Sequence, residues 1–358
     1  MSYQPRKAIH PGRAIERLLG DMGMSQKWLS ERTGLTEKHI SKMINGEAAI
    51  TEDTAVRLEN VLGGSAKFWA NLDSNYRTTK AKIEQERRAA AEIEMLGDIP
   101  YTDLVNLVWV EKTNNKVERV LNLWKFFGVN SLSQIPLTQK VAFRQTVDRN
   151  LNAYALAAWL RKGEMEANGL QLPEYSEDRL LSSIRTIRRL TYDAPEDFYD
   201  RLKKILQEAG VGLVAVKNPK NTSVHGATRW YGRNPLVQLS IHGKNADKMW
   251  FSLFHEIGHI VKHGKREQFI SFDKMESDER EDEANEFASE ALLPKTEFDE
   301  FVSKCDFSIT AVNKFASRAE ISPDIIMGRL EHDGLVPYTQ FAKNHAKLCM
   351  QSSHERNC

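Results

Sequence analysis

The chain has 358 residues, 41% hydrophobic and 28% charged, enough for two or three domains and a substantial core in an ordinary soluble protein. Fifty Lys and Arg against 49 Asp and Glu leave a net charge of +1, which excludes a global field steering the protein to nucleic acid, so any basic patch has to be local. Three scattered cysteines (Cys305, Cys349, Cys358) suit neither a disulfide framework nor a thiolate metal cage. No apolar signal region follows M-S-Y-Q-P-R-K and no apolar run approaches membrane-spanning length, so a cytoplasmic location without a membrane partner is expected.

His10 and Pro11 lead into an amphipathic helix with Ile15, Leu18, Leu19 and Met22 on one side, ended by Gly23. Ser25 caps a second helix, Q-K-W-L-S-E-R-T, which Gly34 terminates, and Thr36 caps a third, E-K-H-I-S-K-M-I-N, closed by Gly46. Two short helices joined by a tight Gly-containing turn form a helix-turn-helix. Gln26, small Ser30, Gly34 and buried Ile40 fall where that motif needs a phosphate contact, close packing, a turn and a core residue. In the third helix Ile40, Met43 and Ile44 point to the core, which leaves Lys38, His39, Ser41, Lys42 and Asn45 outward. Lys donates to guanine, Asn pairs with adenine, and Ser serves either. With Gln26 as a phosphate contact and Thr36 at the helix start, these form the expected DNA-binding set. The same geometry also serves helical bundles that dock protein. A fourth helix follows Thr51, with Glu52 and Asp53 in its first turn as the helix dipole prefers, and a fifth follows Ser65, with Phe68, Trp69, Leu72 and Tyr76.

H-P-G-R-A-I (10–15), S-Q-K-W-L-S (25–30), I-S-K-M-I-N-G (40–46) and F-W-A-N-L (68–72) resemble the HigA-type antitoxins, within the phage-repressor-like helix-turn-helix proteins. The resemblance covers roughly the first eighty residues. It implies a homodimeric binder of a double-stranded DNA operator that represses its own operon and neutralises a HigB-type toxin.

Residues 78–96 are Ala-rich and heavily charged and read as an exposed linker helix or a dimer strut, broken by Gly97 and Pro100. From Tyr101 to Gly210 helix follows helix, at 117–127, 151–160 and 178–190, with Trp124, Phe126, Phe127 and Trp159 read as core. Arg185, Arg188 and Arg189 make a basic stripe read as solvated. The period then shifts to that of strands at 211–216, 223–232 and 235–241, with a hairpin turn from Gly232 to Pro235.

Met249 to His263 reads M-W-F-S-L-F-H-E-I-G-H-I-V-K-H. On a helix, His255 and His259 stack on one face and can grip one metal ion, while Glu256 reaches the edge of the site, where a carboxylate can deprotonate water activated there. Asn245 is the expected cap, and mid-helix Gly258 points to close packing. A catalytic zinc site needs a third protein ligand. His263 lies a turn further along, where a helix C-terminus suits a His, so the ligand is expected from the following helix, 277–293. There Ala284, Phe287, Ala288, Ala291 and Leu292 form the buried stripe and Glu283 borders it, with Glu279 and Glu281 as fallbacks. Three strands before H-E-x-x-H match the zincin plan, in which an edge strand lies over the metal. His225, Arg229, Tyr231 and His332 are open candidates for an oxyanion stabiliser.

H-E-I-G-H-I-V-K-H-G with E-A-N-E-F-A-S-E-A-L-L-P and I-S-P-D-I-I-M-G-R-L-E-H-D-G-L-V is similar to the ImmA/IrrE metallopeptidases over roughly residues 150–336. The resemblance implies Zn2+ held by His255, His259 and Glu283, Glu256 as general base, and cleavage of a regulatory protein. The expected fold is mainly α with a small β-sheet. The expected domains are 1–77 (five-helix repressor-like), 78–100 (linker), 101–200 (helical), 201–336 (zincin-like) and 337–358 (tail). The expected function is a DNA-binding regulator with a zinc endopeptidase acting on a repressor, a toxin or itself. The alternative is a HigA-type antitoxin and autorepressor in which the zinc domain is a non-catalytic sensor or dimerisation module.

Overall fold

Capping side chains set the register of the first helices. In the computed structural model the hydroxyls of Ser25, Thr36, Thr51 and Ser65 accept from the amides of Trp28, His39, Thr54 and Phe68, satisfying donors that a helix start leaves free. They open α2 (Gln26–Thr33), α3 (Glu37–Asn45), α4 (Glu52–Leu62) and α5 (Ala66–Ala91), which follow α1 (Gly12–Asp21). Gly34 and Gly46 close α2 and α3 in the left-handed conformation. Residues 7–138, 152–193, 196–220, 222, 224–241, 245–263, 269–272 and 279–346 are described by the structure; Gly264, Ser277, Cys349 and Cys358 lie outside them. The chain divides into two compact units, residues 1–94 with 114–121, and residues 95–113 with 122–358.

The first unit packs Ile15, Leu19, Leu29, Ile40, Met43, Leu58 and Trp69 into one small core. Ile44 is only partly buried. Met22, expected on the inner side of α1, is 43% exposed because the helix ends at Asp21 and Met22 is its C-cap. Helix α5 runs without interruption through residues 77 and 78, where the sequence suggests a boundary between domain and linker. N-Y-R-T-T-K contains no Gly or Pro, so nothing there stops a helix.

After α5 come α6 (Tyr101–Asn106), α7 (Lys116–Phe127), whose first residues belong to the first unit, α8 (Ile135–Thr138), α9 (Ala153–Ala167), α10 (Glu177–Asp193) and α11 (Phe198–Glu208). Strands β1 (Gly212–Val216), β2 (Val224–Tyr231) and β3 (Asn234–Ser240) precede α12 (Ala246–Lys262), and β4 (Phe269–Phe272) follows it. Helices α13 (Glu279–Leu292), α14 (Lys295–Val302), α15 (Ile309–Ala319) and α16 (Pro323–His332) complete the described elements. The fold is mainly α with one four-stranded sheet in the order β1-β3-β2-β4. β1 runs parallel to β3, and β2 is antiparallel to both β3 and β4. The β2–β3 hairpin turns at Gly232, as the sequence suggests. β4 is an edge that the sequence does not announce.

Successive residues of β2 face opposite sides of the sheet, and the two sides have different chemistry. On one side Arg229 donates to Glu164 at 3.0 Å and to the Leu160 carbonyl at 2.6 Å, while Gln238 and Trp159 bond the backbones of α9 and β1. Burial lowers the Arg229 guanidinium pKa and the Glu164 carboxylate opposes it. Thr228 faces α12 on the other side.

The apolar residues of α12 recur at three-four spacing, with Met249, Trp250, Leu253, Phe254, Ile257 and Ile260 all buried. They share one core with Leu180 and Ile187 of α10, Leu202 and Leu206 of α11, Val237 and Leu239 of β3, and Leu292, Phe315 and Leu330 beyond. Helix α10, expected in a separate middle region, thus contributes to the core of the helix that carries H-E-x-x-H. Trp124, Phe126, Phe127 and Trp159 are buried, as core residues should be. Arg188 is tucked against the Ala319 carbonyl and Glu297 rather than fully solvated. Among the described residues no helix is long and apolar enough to cross a membrane.

Candidate metal centre and DNA-binding face

Helix α12 begins at Asn245, whose side chain makes no cap bond. The Ala246 amide donates instead to the carbonyl of Ala346 at 2.8 Å, so a segment from the far end of the described chain closes the helix start. Two turns on, His255 and His259 project from one face with Nε2 atoms 3.0 Å apart. Glu281 of α13 meets them, its carboxylate oxygens 3.2 Å from His255 Nε2 and 3.5 Å from His259 Nε2. All three residues are buried. Gly258 allows this approach of helices: a Cβ there would stand 3.1 Å from the Cα and the carbonyl oxygen of Ala284.

The three donors fit a tetrahedral metal. Zinc sits about 2.0–2.2 Å from nitrogen and oxygen ligands, which puts tetrahedral corners about 3.3 Å apart; the separations here are 3.0, 3.2 and 3.5 Å. His255 Nδ1 donates to the Asn285 Oδ1 at 2.9 Å, which leaves Nε2 with its lone pair toward the cluster. His259 Nδ1 is buried with no hydrogen-bond partner among the described residues. Its ring is held by stacking on Phe269 of β4, 4.0 Å between centroids and 9° from parallel.

Electrostatics agree with a cation-binding set. Burial raises the Glu281 pKa, but hydrogen bonds and charge from His255 and His259 outweigh it and pull the pKa down to about 2. Burial lowers the His255 pKa; the Glu281 hydrogen bond and the Glu256 and Glu281 charges overcome it and hold it above the ordinary histidine value.

Glu283, expected from sequence as the third ligand, lies elsewhere. Its carboxylate is half-exposed and 3.6 Å from Nδ1 of His263, whose Nε2 donates to the Arg280 carbonyl at 3.1 Å. The reason is helix periodicity: Glu281 precedes Ala284 by three residues and Ala288 by seven, so it shares their buried face, whereas Glu283 is rotated away from it. The fallback residue Glu281 takes the position beside the imidazoles, and Glu279 is exposed.

Glu256 is fully buried against the sheet. Its Oε2 accepts from the Thr228 hydroxyl and its Oε1 from the Ser271 hydroxyl, each at 2.7 Å. Gly226 leaves the room: a Cβ at that position would come 2.3 Å from Glu256 Oε1. Sequence reasoning misses Thr228, Ser271, Gly226 and Asn285; the alternation of Gly226 and Thr228 along a strand is the one available signal. Of the oxyanion candidates, Arg229 faces α9, Tyr231 bonds Asn168, and exposed His332 pairs with Asp333.

On the first unit, Gln26, Thr36, Lys38, Lys42 and Asn45 are exposed, and Ser41 is partly so. They lie at or beside the N-termini and outer face of α2 and α3, opposite buried Ile40 and Met43. His39 departs from the expectation, being half-buried with Nε2 out of solvent. Asn45 Nδ2 lies 3.4 Å from the Ser41 hydroxyl.

Two family models match the chain. Residues 15–69 match the helix-turn-helix family, and residues 207–331 match a peptidase family described as an IrrE N-terminal-like domain. Virulence-associated protein I of Dichelobacter nodosus is 32% identical over 80 residues, covering 22% of this chain and 74% of that protein. Antitoxin HigA-1 of Vibrio cholerae is 30% identical over 73 residues, covering 20% of this chain and 69% of the antitoxin. The chain belongs to the HigA-type helix-turn-helix family, with an IrrE-like peptidase domain fused behind it. A HigA-family addiction module antidote protein from Coxiella burnetii, of known structure, is 30% identical, with a TM-score of 0.22, and covers 24% of this chain and 95% of its own. In this HigA-type fusion the helix-turn-helix residues and the candidate metal-site residues fall in different family matches, Gln26 to Asn45 in the first and Thr228 to Asn285 in the second.

Proposed function

We propose that the protein is a DNA-binding transcriptional regulator whose second unit is a zinc-dependent endopeptidase acting on a regulatory protein. The observation that carries this reading is the convergence of His255, His259 and Glu281 within 4.8 Å of one another, with the Glu256 carboxylate on the adjacent residue of the same helix. His255, His259 and Glu281 would hold the zinc, which when bound supplies Lewis acidity to a peptide carbonyl and acidity to water. Glu256 accepts a proton from the attacking water on a carboxylate oxygen and returns it to the leaving amine. Asn285 and Phe269 orient the two imidazoles.

The first unit binds a double-stranded operator through α3, with Lys38, Lys42 and Asn45 toward base edges and Gln26 and Thr36 toward phosphate. A homodimer in the cytoplasm fits that role, and the likeness to an antitoxin supports a toxin or a repressor as the protein partner. Self-cleavage within residues 78–100 is the least favoured target, because α5 holds residues up to Ala91 in a helix and edge strands pair with extended chains.

Glu256→Gln tests the reading. It should keep zinc and operator binding and abolish cleavage; a variant that cleaves as well as wild type removes Glu256 from the chemistry.

The second reading keeps the metal and drops the chemistry, leaving a zinc domain that senses or supports an antitoxin-like repressor. Its supporting observation is that both Glu256 oxygens already accept hydrogen bonds in a fully buried setting. It expects wild type and Glu256→Gln to leave a candidate repressor and toxin equally intact.

A further inference from the structure

Strand β4 and its neighbour β2 bring two hydroxyls to one carboxylate. In the antiparallel register Gly226 pairs with Ser271 and Thr228 with Phe269. Thr228 and Ser271 therefore lie on the two strands where they can close on Glu256 from both sides, and each stands 2.7 Å from a different carboxylate oxygen. Thr228 Oγ1 is also 3.0 Å from the main-chain carbonyl of Glu256, a second acceptor for its single proton, and the contact to Oε2 is the shorter of the two. Gly226 removes the side chain that would collide with Oε1.

A buried carboxylate normally requires partners for its oxygens. Salt bridges to Lys or Arg would supply them together with a full countercharge. Neutral hydroxyls fix the group without a formal countercharge. Their positions on strands rather than on α12 mean that the sheet, not the helix, decides where the carboxylate points.

We propose that Ser271 and Thr228 are positioning residues for Glu256, holding its carboxylate in the orientation needed beside the metal centre, with Gly226 leaving the space that carboxylate occupies. This rests on reading Glu256 as the proton acceptor of a zinc site. β4 thereby has two contacts with the centre, Ser271 on Glu256 and Phe269 on His259, so the edge strand is part of the site's framework.

The test uses the full chain loaded with zinc, and two probes: zinc itself and acetohydroxamate. Acetohydroxamate chelates zinc and offers its hydroxyl proton to a carboxylate beside the metal, so its affinity reports Glu256 orientation without any peptide substrate. Ser271→Ala and Thr228→Val should each weaken acetohydroxamate by about 10- to 100-fold, the range for loss of one hydrogen bond to a charged group. Zinc affinity should stay within about threefold of wild type, and Thr228→Ser should restore hydroxamate binding. Wild-type hydroxamate affinity in both Ser271→Ala and Thr228→Val, with a loss in Glu256→Gln, overturns the positioning role and leaves the base intact. Unchanged affinity in Glu256→Gln as well overturns the base reading and the proposal together. A parallel fall of zinc and hydroxamate affinity in Ser271→Ala and Thr228→Val, not restored by Thr228→Ser, marks a structural role only and also overturns it.

Discussion

Gly226→Ala probes the cradle around Glu256 by adding one methyl group. The new Cβ would come 2.3 Å from Glu256 Oε1 and 2.9 Å from both Cδ and Cγ. Relieving that contact needs a carboxylate shift of about 1 Å, which is enough to break the 2.7 Å hydrogen bond from Ser271 to the same oxygen. Overpacking a close contact costs about 1–3 kcal/mol, and a lost hydrogen bond to a buried charged group adds about 1.5–3 kcal/mol. The sum is about 3–6 kcal/mol, or a fall in Tm of roughly 6–24 °C for a unit of this size. The assay is thermal unfolding of the full chain with zinc, set in a double-mutant cycle with Glu256→Ala, which removes the colliding atoms. In the Glu256→Ala background Gly226→Ala should cost about 1 kcal/mol or less, giving a coupling of at least 2 kcal/mol. Additive effects in the two backgrounds, or a wild-type Tm for Gly226→Ala, would show that position 226 does not constrain the Glu256 carboxylate.

Further expectations follow from the same geometry. Glu281→Gln should lose stoichiometric zinc while Glu283→Gln retains it, as read by metal analysis after gel filtration; the reverse pattern would reinstate the assignment suggested by sequence. Asn285→Ala removes the acceptor that orients His255 and should weaken zinc by about 10- to 100-fold in competition with a chelator. Lys38→Ala with Lys42→Ala removes two cations from the groove and should reduce operator affinity and flatten its salt dependence, by up to about 0.9 in slope for each positive charge lost; equal binding curves across salt would remove α3 from the groove.

How far the sequence can be read depends on whether a signal is local. Ser25 and Thr36 cap the helices assigned to them, and Thr51 and Ser65 cap the two helices expected to follow them, because a cap is a contact between residues three apart. The β2–β3 hairpin is visible in the Gly232 turn, and the packing role of Gly258 in its position mid-helix. The α13 carboxylate needs a finer use of the same periodicity. Treating the helix as a broad apolar stripe places Glu283 at its border, whereas measuring three and seven residues back from Ala284 and Ala288 selects Glu281. The run of α5 past residue 77 is obscured by a change of composition, which does not itself break a helix.

Other features lie beyond local signals. β4 is four residues, F-I-S-F, too short for periodicity to identify. The Glu256 cradle is built from Gly226, Thr228 and Ser271, which meet only through strand register. No spacing in the sequence joins residue 228 to residue 271. The stacking of Phe269 on His259 is of the same kind, created by the edge strand rather than by any motif.

The most direct measurement is proteolysis by the zinc-loaded full chain, compared with its Glu256→Gln variant, on purified candidate repressor and toxin proteins followed by intact mass spectrometry. Discrete cleavage by wild type and none by Glu256→Gln, with one zinc per chain in both, is the expected result. Intact substrates with both proteins, or equal cleavage by both, would rule out a peptidase that uses Glu256.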